Sequence, residues 1–182
     1  MNLPNKLTMF RVFLIPFFVL FMIADITGEY DKYIAVAIFI IASLTDMLDG
    51  KIARKYNLVT NFGKFMDPLA DKLLVCSALI CLIDDKLQSW IVIIIISREL
   101  IISGFRTIAA DNGVVIAASW WGKYKTTAQM VMIIIMIIDL QYKWYSVLEY
   151  LFIYLSLVLT LISLVDYLVK NKQVLTDGGM AK

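Results

Sequence analysis

No histidine occurs anywhere in the 182 residues. That absence removes Ser-His-Asp and Cys-His nucleophile schemes and every zinc site built on imidazole. Cysteine is scarce as well. Cys76 and Cys81 stand five apart in an apolar run, a spacing that suits neither a metal pair nor a disulfide, so both read as small hydrophobic residues. Three prolines and eight glycines leave no room for a flexible linker or low-complexity segment, and no internal repeat is visible. Charged residues make up 18%, against about 25% in soluble domains, with a net charge of +2 and nothing that points to nucleic acid. The simplest organisation is one membrane domain over residues 1–182, with a polar tail at 173–182 that is expected to be mobile.

What the chain has is apolar sequence, 61% of it, gathered into long runs. Six runs can be drawn, at about residues 7–24, 32–53, 64–83, 87–109, 124–138 and 144–169. About 20 apolar residues cross a hydrocarbon core. Barrel strands would alternate over about ten residues, and no such alternation is present. The expected fold class is therefore all-α integral membrane, with six transmembrane helices. Lys6 and Arg11 ahead of the first run resemble a signal peptide, but no small-residue cleavage site follows and further spans do. The run is read as a retained first helix.

The basic residues are distributed unevenly about these spans. One side receives Lys6, Arg11, Lys51, Arg54, Lys55, Lys64, Arg106, Lys123, Lys125, Lys170, Lys172 and Lys182; the other receives Lys32, Lys86 and Lys143. The second side is acidic, with Asp25, Glu29, Asp31, Asp84, Asp85 and Asp139. Positive charge stays inside, so both termini are expected in the cytoplasm. Trp90, Trp120, Trp121 and Trp144 fall near span ends, where interfacial anchors belong.

Against this background Asp46, Asp49, Asp67 and Asp71 are anomalous. An aspartate at the bilayer centre costs about 2.5–3.5 kcal/mol even on lenient insertion scales. Asp46 and Asp49 share one helix face, and so do Asp67 and Asp71, so two carboxylate pairs can face each other across a hairpin. Pro68 is tolerated if the helix starts there, with Asp67 near its N-cap; an earlier start would put a kink at Pro68. Oxygen donors without histidine or cysteine favour a hard cation, Mg²⁺ or Mn²⁺. Four carboxylates are enough for two ions, an arrangement that clamps a phosphoryl displacement. Gly50, Ala53 and Gly63 offer small surfaces for a bulky ligand, and Arg54 is placed to bind a phosphate oxygen. A lone Asp-x-x-Asp is usually a solvated or capping pair. Here the pattern is Asp46-x-x-Asp49-Gly50-x-x-Ala53-Arg54, eight residues, then Gly63-x-x-x-Asp67-x-x-x-Asp71.

That run resembles the full signature of the CDP-alcohol phosphotransferases, with no position departing from it. The resemblance implies a six-span membrane enzyme that moves a substituted phosphate from a CDP-linked donor to an alcohol and releases CMP. It implies that Asp71 is the catalytic base as well as a metal ligand, with Asp46, Asp49 and Asp67 chiefly ligands. Asp49, Gly50, Ala53, Arg54, Gly63 and Thr8 would then bind the donor, and the enzyme would be a homodimer. Asn2-Leu3-Pro4-Asn5-x-Leu7-Thr8-x-x-Arg11, Ser97-Arg98-Glu99, Gly104-Phe105-Arg106 and Gly122-Lys123-x-Lys125-Thr126-x-x-Gln129 are similar to one branch of the family. In that branch the donor is CDP-diacylglycerol and the acceptor glycerol 3-phosphate.

A phosphorylated acceptor needs cations. Arg106, Lys123, Lys125, Arg11, Lys64 and Arg98 are the candidates, and membrane-surface anchoring is the alternative for Lys123 and Lys125. Arg98–Glu99 lies inside a span, as either a functional pair or a buried helix–helix pair. Asp166 is expected to be interfacial. Two alternatives stay open: the same chemistry on serine, inositol phosphate or phosphatidylglycerol, and a divalent-cation transporter with the aspartates as its site. The expected location is the plasma membrane, with the bilayer as partner and the site facing the cytoplasm.

Overall fold

The computed structural model describes residues 2–56, 58, 60–83, 86–111 and 119–171, with backbone alone for Arg54, Asn61, Lys64, Ala110 and Asp111. The tail at 173–182, the connection at 112–118, and Asp84 and Asp85 lie outside the described residues. Six α-helices and one 3₁₀ turn are present among them: α1 Leu3–Ile23, the turn Gly28–Tyr30, α2 Asp31–Lys55, α3 Asn61–Cys81, α4 Ser89–Asp111, α5 Trp120–Ile138 and α6 Lys143–Lys170. Three segments, Leu3–Ile23, Gly28–Ala53 and Lys143–Lys170, are long and apolar enough to cross a membrane. The chain divides into two compact units. The first runs to Lys86 and includes Met136–Asp139; the second is Leu87–Ile135 and the chain from Leu140.

In the first unit, α1 starts earlier than hydropathy suggests because its cap is polar. The Asn2 side chain accepts from the Asn5 N–H at 3.2 Å, and proline stands in the first turn, where its missing N–H costs nothing. Asn2 also donates to the Leu58 carbonyl at 2.7 Å, tying this cap to the chain ahead of α3. The buried face of α1 is Pro4, Asn5, Thr8, Arg11, Ile15 and Phe18, at helical spacing. Phe13, Phe17 and Leu20 stay exposed, as a lipid-facing side requires. α1 packs against both α2 and α3, more extensively than those two pack on each other. Ala35 and Ala42 on α2 are completely buried, and small residues of this kind let helices approach closely. Phe18 and Phe39 meet across the α1–α2 contact, ring centres 5.8 Å apart.

α3 begins at Asn61, capped by Thr60, whose hydroxyl accepts from the Gly63 N–H at 3.0 Å. The helix therefore starts before Pro68, and Asp67 is an interior residue instead of a cap. Pro68 cannot donate to the carbonyl one turn back, which loosens the helix beside the carboxylates. At the other end of this unit Lys86 and Asp139 form an ion pair. Asp139 follows the last residue of α5 with φ +46°, the left-handed conformation that commonly ends helices.

In the second unit α4 packs on α6. The buried positions of α6 include Ser156, Thr160, Ser163 and Tyr167, while Val147, Leu151, Val158 and Val165 are exposed. This separates the two sides of a helix whose sequence is apolar almost throughout. Trp90, Trp120, Trp121 and Trp144 are all exposed near helix starts, as anchors should be. Asp166 pairs with Lys170 one turn on, at 2.6 Å, near the end of α6.

Candidate active site

α1 reaches both carboxylate pairs of the first unit. Thr8 and Arg11 are three apart, so one face of α1 presents both. The Arg11 guanidinium lies against the α2 pair: Nη1 is 2.8 Å from Asp46 Oδ1, and Nη2 pairs with Asp49. Its Nε donates to the Ala42 carbonyl at 3.2 Å. Arg11 is fully buried and Asp49 nearly so, whereas the Asp46 side chain is 39% exposed and opens the cluster to solvent. Thr8 donates to Asp67 Oδ1 on α3 at 2.6 Å. Thr8 and Arg11 thus tie Asp67 on α3 and Asp46 and Asp49 on α2 to one face of α1.

The start of α3 is fastened to the same face of α1. Thr60 donates to Asn5 Oδ1 at 2.9 Å while capping Gly63. A methyl group at Gly63 would come within 3.3 Å of Asn5 Oδ1, 3.3 Å of Thr60 Oγ1 and 3.4 Å of Asp67 Oδ2. Glycine is thus required by close packing at the base of the cluster. Ala53 is buried one turn beyond Gly50. The side chains of Arg54 and Lys64 lie outside the described set.

Asp46 and Asp49 on α2 and Asp67 on α3 are brought into one unit, where α1 bonds to all three and α2 also packs on α3. Among the described residues no three carboxylates or thiols are gathered closely enough to hold one ion. The donor set still fits a divalent ion. It is all oxygen, and what Asp46 and Asp49 hold between them is already a cation, Arg11.

The second unit carries a separate charged cluster. Glu99 Oε1 accepts from Arg98 at 2.8 Å and from Lys125 on α5. Arg98 also donates to Ser163 on α6, so Arg98, Glu99, Lys125 and Ser163 join three helices. Lys125 and Arg98 are buried; Gly122 lies beneath them, 3.7 Å from Arg98 Nη2 when a methyl is built there. Lys123 and Arg106 are exposed instead. Lys123 lies over the Trp120 ring at 4.2 Å, and Arg106 over Tyr167 at 6.0 Å.

Asn5, Thr60 and Ser163 were not among the predicted site residues. Thr60 had a signal, a threonine three before a glycine at a helix start. Asn5 lay in the N-terminal motif without a role, and Ser163 carried no local signal.

A helical membrane chain with an aspartate frame of this spacing defines a class. The CDP-alcohol phosphatidyltransferase family model matches residues 1–162, and the chain belongs to that family. The match runs through both units. The chain is 43% identical over 185 residues to a CDP-diacylglycerol–glycerol-3-phosphate 3-phosphatidyltransferase of Haemophilus influenzae, covering 97% of each chain. It is 52% identical over 141 residues to the protein of that name from Bacillus subtilis, covering 71% of this chain and 73% of the relative. For that of Escherichia coli K12 the identity is 46% over 136 residues, with the same two coverages. The chain is an enzyme of phosphatidyl transfer, and the transporter alternative lapses.

Proposed function

We propose that this enzyme transfers the phosphatidyl group of CDP-diacylglycerol to glycerol 3-phosphate, forming phosphatidylglycerophosphate and CMP. The observation that carries the assignment is the aspartate frame, braced by Thr8 and Arg11, in a chain 43% identical across 97% of its length to a relative named for this reaction. Both units serve as one catalytic domain, since the family match crosses both.

All six helices span the bilayer in this reading. α3, α4 and α5 are 21, 23 and 19 residues long, enough at about 1.5 Å per residue for a core of about 30 Å. Their charges are what lowers their hydropathy. The lysine and arginine bias puts both termini and the aspartates on the cytoplasmic side of the plasma membrane. A homodimer is the expected assembly, from the family resemblance.

Asp46, Asp49, Asp67 and Asp71 would hold two Mg²⁺ or Mn²⁺ ions, which supply positive charge to the pyrophosphate of the donor. The cytidine is expected against Gly50 and Ala53, with Thr8, Asp49 and Arg54 beside it, whereas Gly63 is packed against Asn5, Thr60 and Asp67. The acceptor hydroxyl attacks the phosphorus bearing the diacylglycerol, the bond to CMP breaks, and Asp71 takes the hydroxyl proton. Of the cations expected to meet the acceptor phosphate, Arg106 and Lys123 are exposed and stay candidates, whereas Arg11, Arg98 and Lys125 are buried in ion pairs.

The test is CMP release by purified protein with CDP-diacylglycerol, Mg²⁺ and a panel of acceptors. Glycerol 3-phosphate is expected to work best. A better rate with serine, inositol phosphate or phosphatidylglycerol would reassign the acceptor.

A further inference from the structure

We infer that Arg11 is the resident counter-cation of the aspartate cluster, and that it releases Asp46 and Asp49 when a divalent ion binds them. The inference rests on the divalent-ion reading above and assigns Arg11 a positioning role. A buried cation in a membrane helix needs an anionic partner, and Arg11 is fully buried with two. Conversely, like-charged carboxylates on adjoining helices repel unless a cation lies among them. Arg11 therefore lets the cluster fold before any metal arrives.

Its hold on Asp46 is looser than its hold on Asp49, which accepts a hydrogen bond from Nη2. Nη1 is 2.8 Å from Asp46 but lacks an aligned hydrogen bond, so charge rather than geometry keeps it there. Nε donates to the Ala42 carbonyl and lies in the same rigid plane as Nη1 and Nη2, so letting go of the carboxylates moves the whole guanidinium and breaks that bond as well. Asp46 is the partly exposed member of the pair and Asp49 the buried one, so an ion from water meets Asp46 first. Arg11 takes one oxygen of each carboxylate, Asp46 Oδ1 and Asp49 Oδ2, and a divalent ion drawn to the same pair repels the guanidinium and competes with it for them.

Two measurements test this. In the first, Mn²⁺ affinity is read by electron paramagnetic resonance on the parent and on Arg11→Gln. The variant is expected to melt at lower temperature without metal, to bind Mn²⁺ about tenfold more tightly or better, and to gain more thermal stability from Mn²⁺ than the parent does. Equal or weaker Mn²⁺ binding by the folded variant overturns the inference. In the second, the parent is labelled with ¹⁵N-arginine and titrated with Mg²⁺. Arg11, Arg54, Arg98 and Arg106 are the arginines of the chain, and Arg11→Lys identifies the resonance. The Arg11 Nε signal is expected to shift in step with Mg²⁺ saturation. A signal that stays still while Mg²⁺ binds overturns the inference even if Arg11→Gln does not fold. Failure of the parent to bind either ion overturns the divalent-ion reading itself.

Discussion

The Thr8 hydroxyl donates to Asp67 Oδ1 at 2.6 Å, joining α1 to α3 across 59 residues of sequence. The Pro4 carbonyl lies 3.1 Å from the same hydroxyl, but one proton serves one acceptor well, and the carboxylate is the stronger. Thr8 therefore fixes which way Asp67 points. Arg11, one turn on, does the same for Asp46 and Asp49. A neutral donor and a charged one on a single helix face thus orient carboxylates from two other helices.

Thr8→Val keeps the shape of the side chain and removes the donor. A hydrogen bond to a charged group contributes about 1.5–3 kcal/mol. If that orientation is used in turnover, the rate of CMP release falls roughly 10- to 100-fold. Thr8→Ser retains the hydroxyl and is expected to stay near parent activity. Equal loss in both variants would mean that the methyl packing, not the hydrogen bond, matters.

Gly63 and Gly122 make a matched pair of tests. A methyl at Gly63 lies within 3.3 Å of two side-chain oxygens, Asn5 Oδ1 and Thr60 Oγ1, that are bonded to each other. Neither can retreat without breaking the tie between α1 and α3. A methyl at Gly122 meets Ser119, Arg98 and Ser163 at 3.6–3.9 Å, ordinary contact. Gly63→Ala is expected to lower both melting temperature and activity. Gly122→Ala is expected to be neutral, or stabilising by about 0.5–1 kcal/mol from helix propensity. Thermal melts in detergent distinguish the two.

The contrast between these glycines shows what the sequence carried and what it did not. The aspartate spacing was legible because it is local: i, i+3 and i, i+4 fix a helix face without knowledge of the fold. The helical runs were legible from hydropathy, though α1, α3 and α5 start three or four residues earlier than expected, because Asn2, Thr60 and the Trp120–Trp121 pair open them with polar or interfacial residues. The partner of Arg11 was not legible. Periodicity places it on a face of α1, but which helix meets that face is a matter of tertiary packing. The buried side of α6 was missed because its signal is the Ser156, Thr160, Ser163 and Tyr167 stripe, visible only when small polar residues are read as helix-contact residues.

Glu99 pairs with two cations through one carboxylate oxygen, and Lys125 is only 2% exposed. Removing one partner of a buried pair strands the others, at a cost of about 3–5 kcal/mol. Glu99→Gln is expected to destabilise by that order, and Glu99→Gln with Lys125→Met to recover part of it. The pair of Asp166 and Lys170, whose lysine is 64% exposed and whose aspartate is 16% exposed, is the milder comparison. Lys170→Ala is expected to change stability by less than about 0.5 kcal/mol. Denaturation in detergent reads all three.

Asp71 tests the division of labour among the carboxylates. It stands one turn beyond Asp67 on α3 and shares its face. Asparagine matches aspartate in size and keeps an oxygen, but its amide cannot take a proton at neutral pH. If Asp71 is the base, Asp71→Asn removes the proton acceptor while leaving the residues proposed to bind the donor unchanged. Proton transfer by a positioned base is worth about 10²- to 10⁴-fold. CMP release is expected to fall by at least that range, with CDP-diacylglycerol binding largely kept. Asp67→Asn, by contrast, is expected to weaken Thr8 contact, metal affinity and donor binding together. Near-normal CMP release by Asp71→Asn would remove the base role from this residue. Parallel loss of donor binding in both variants would make Asp71 a ligand alone.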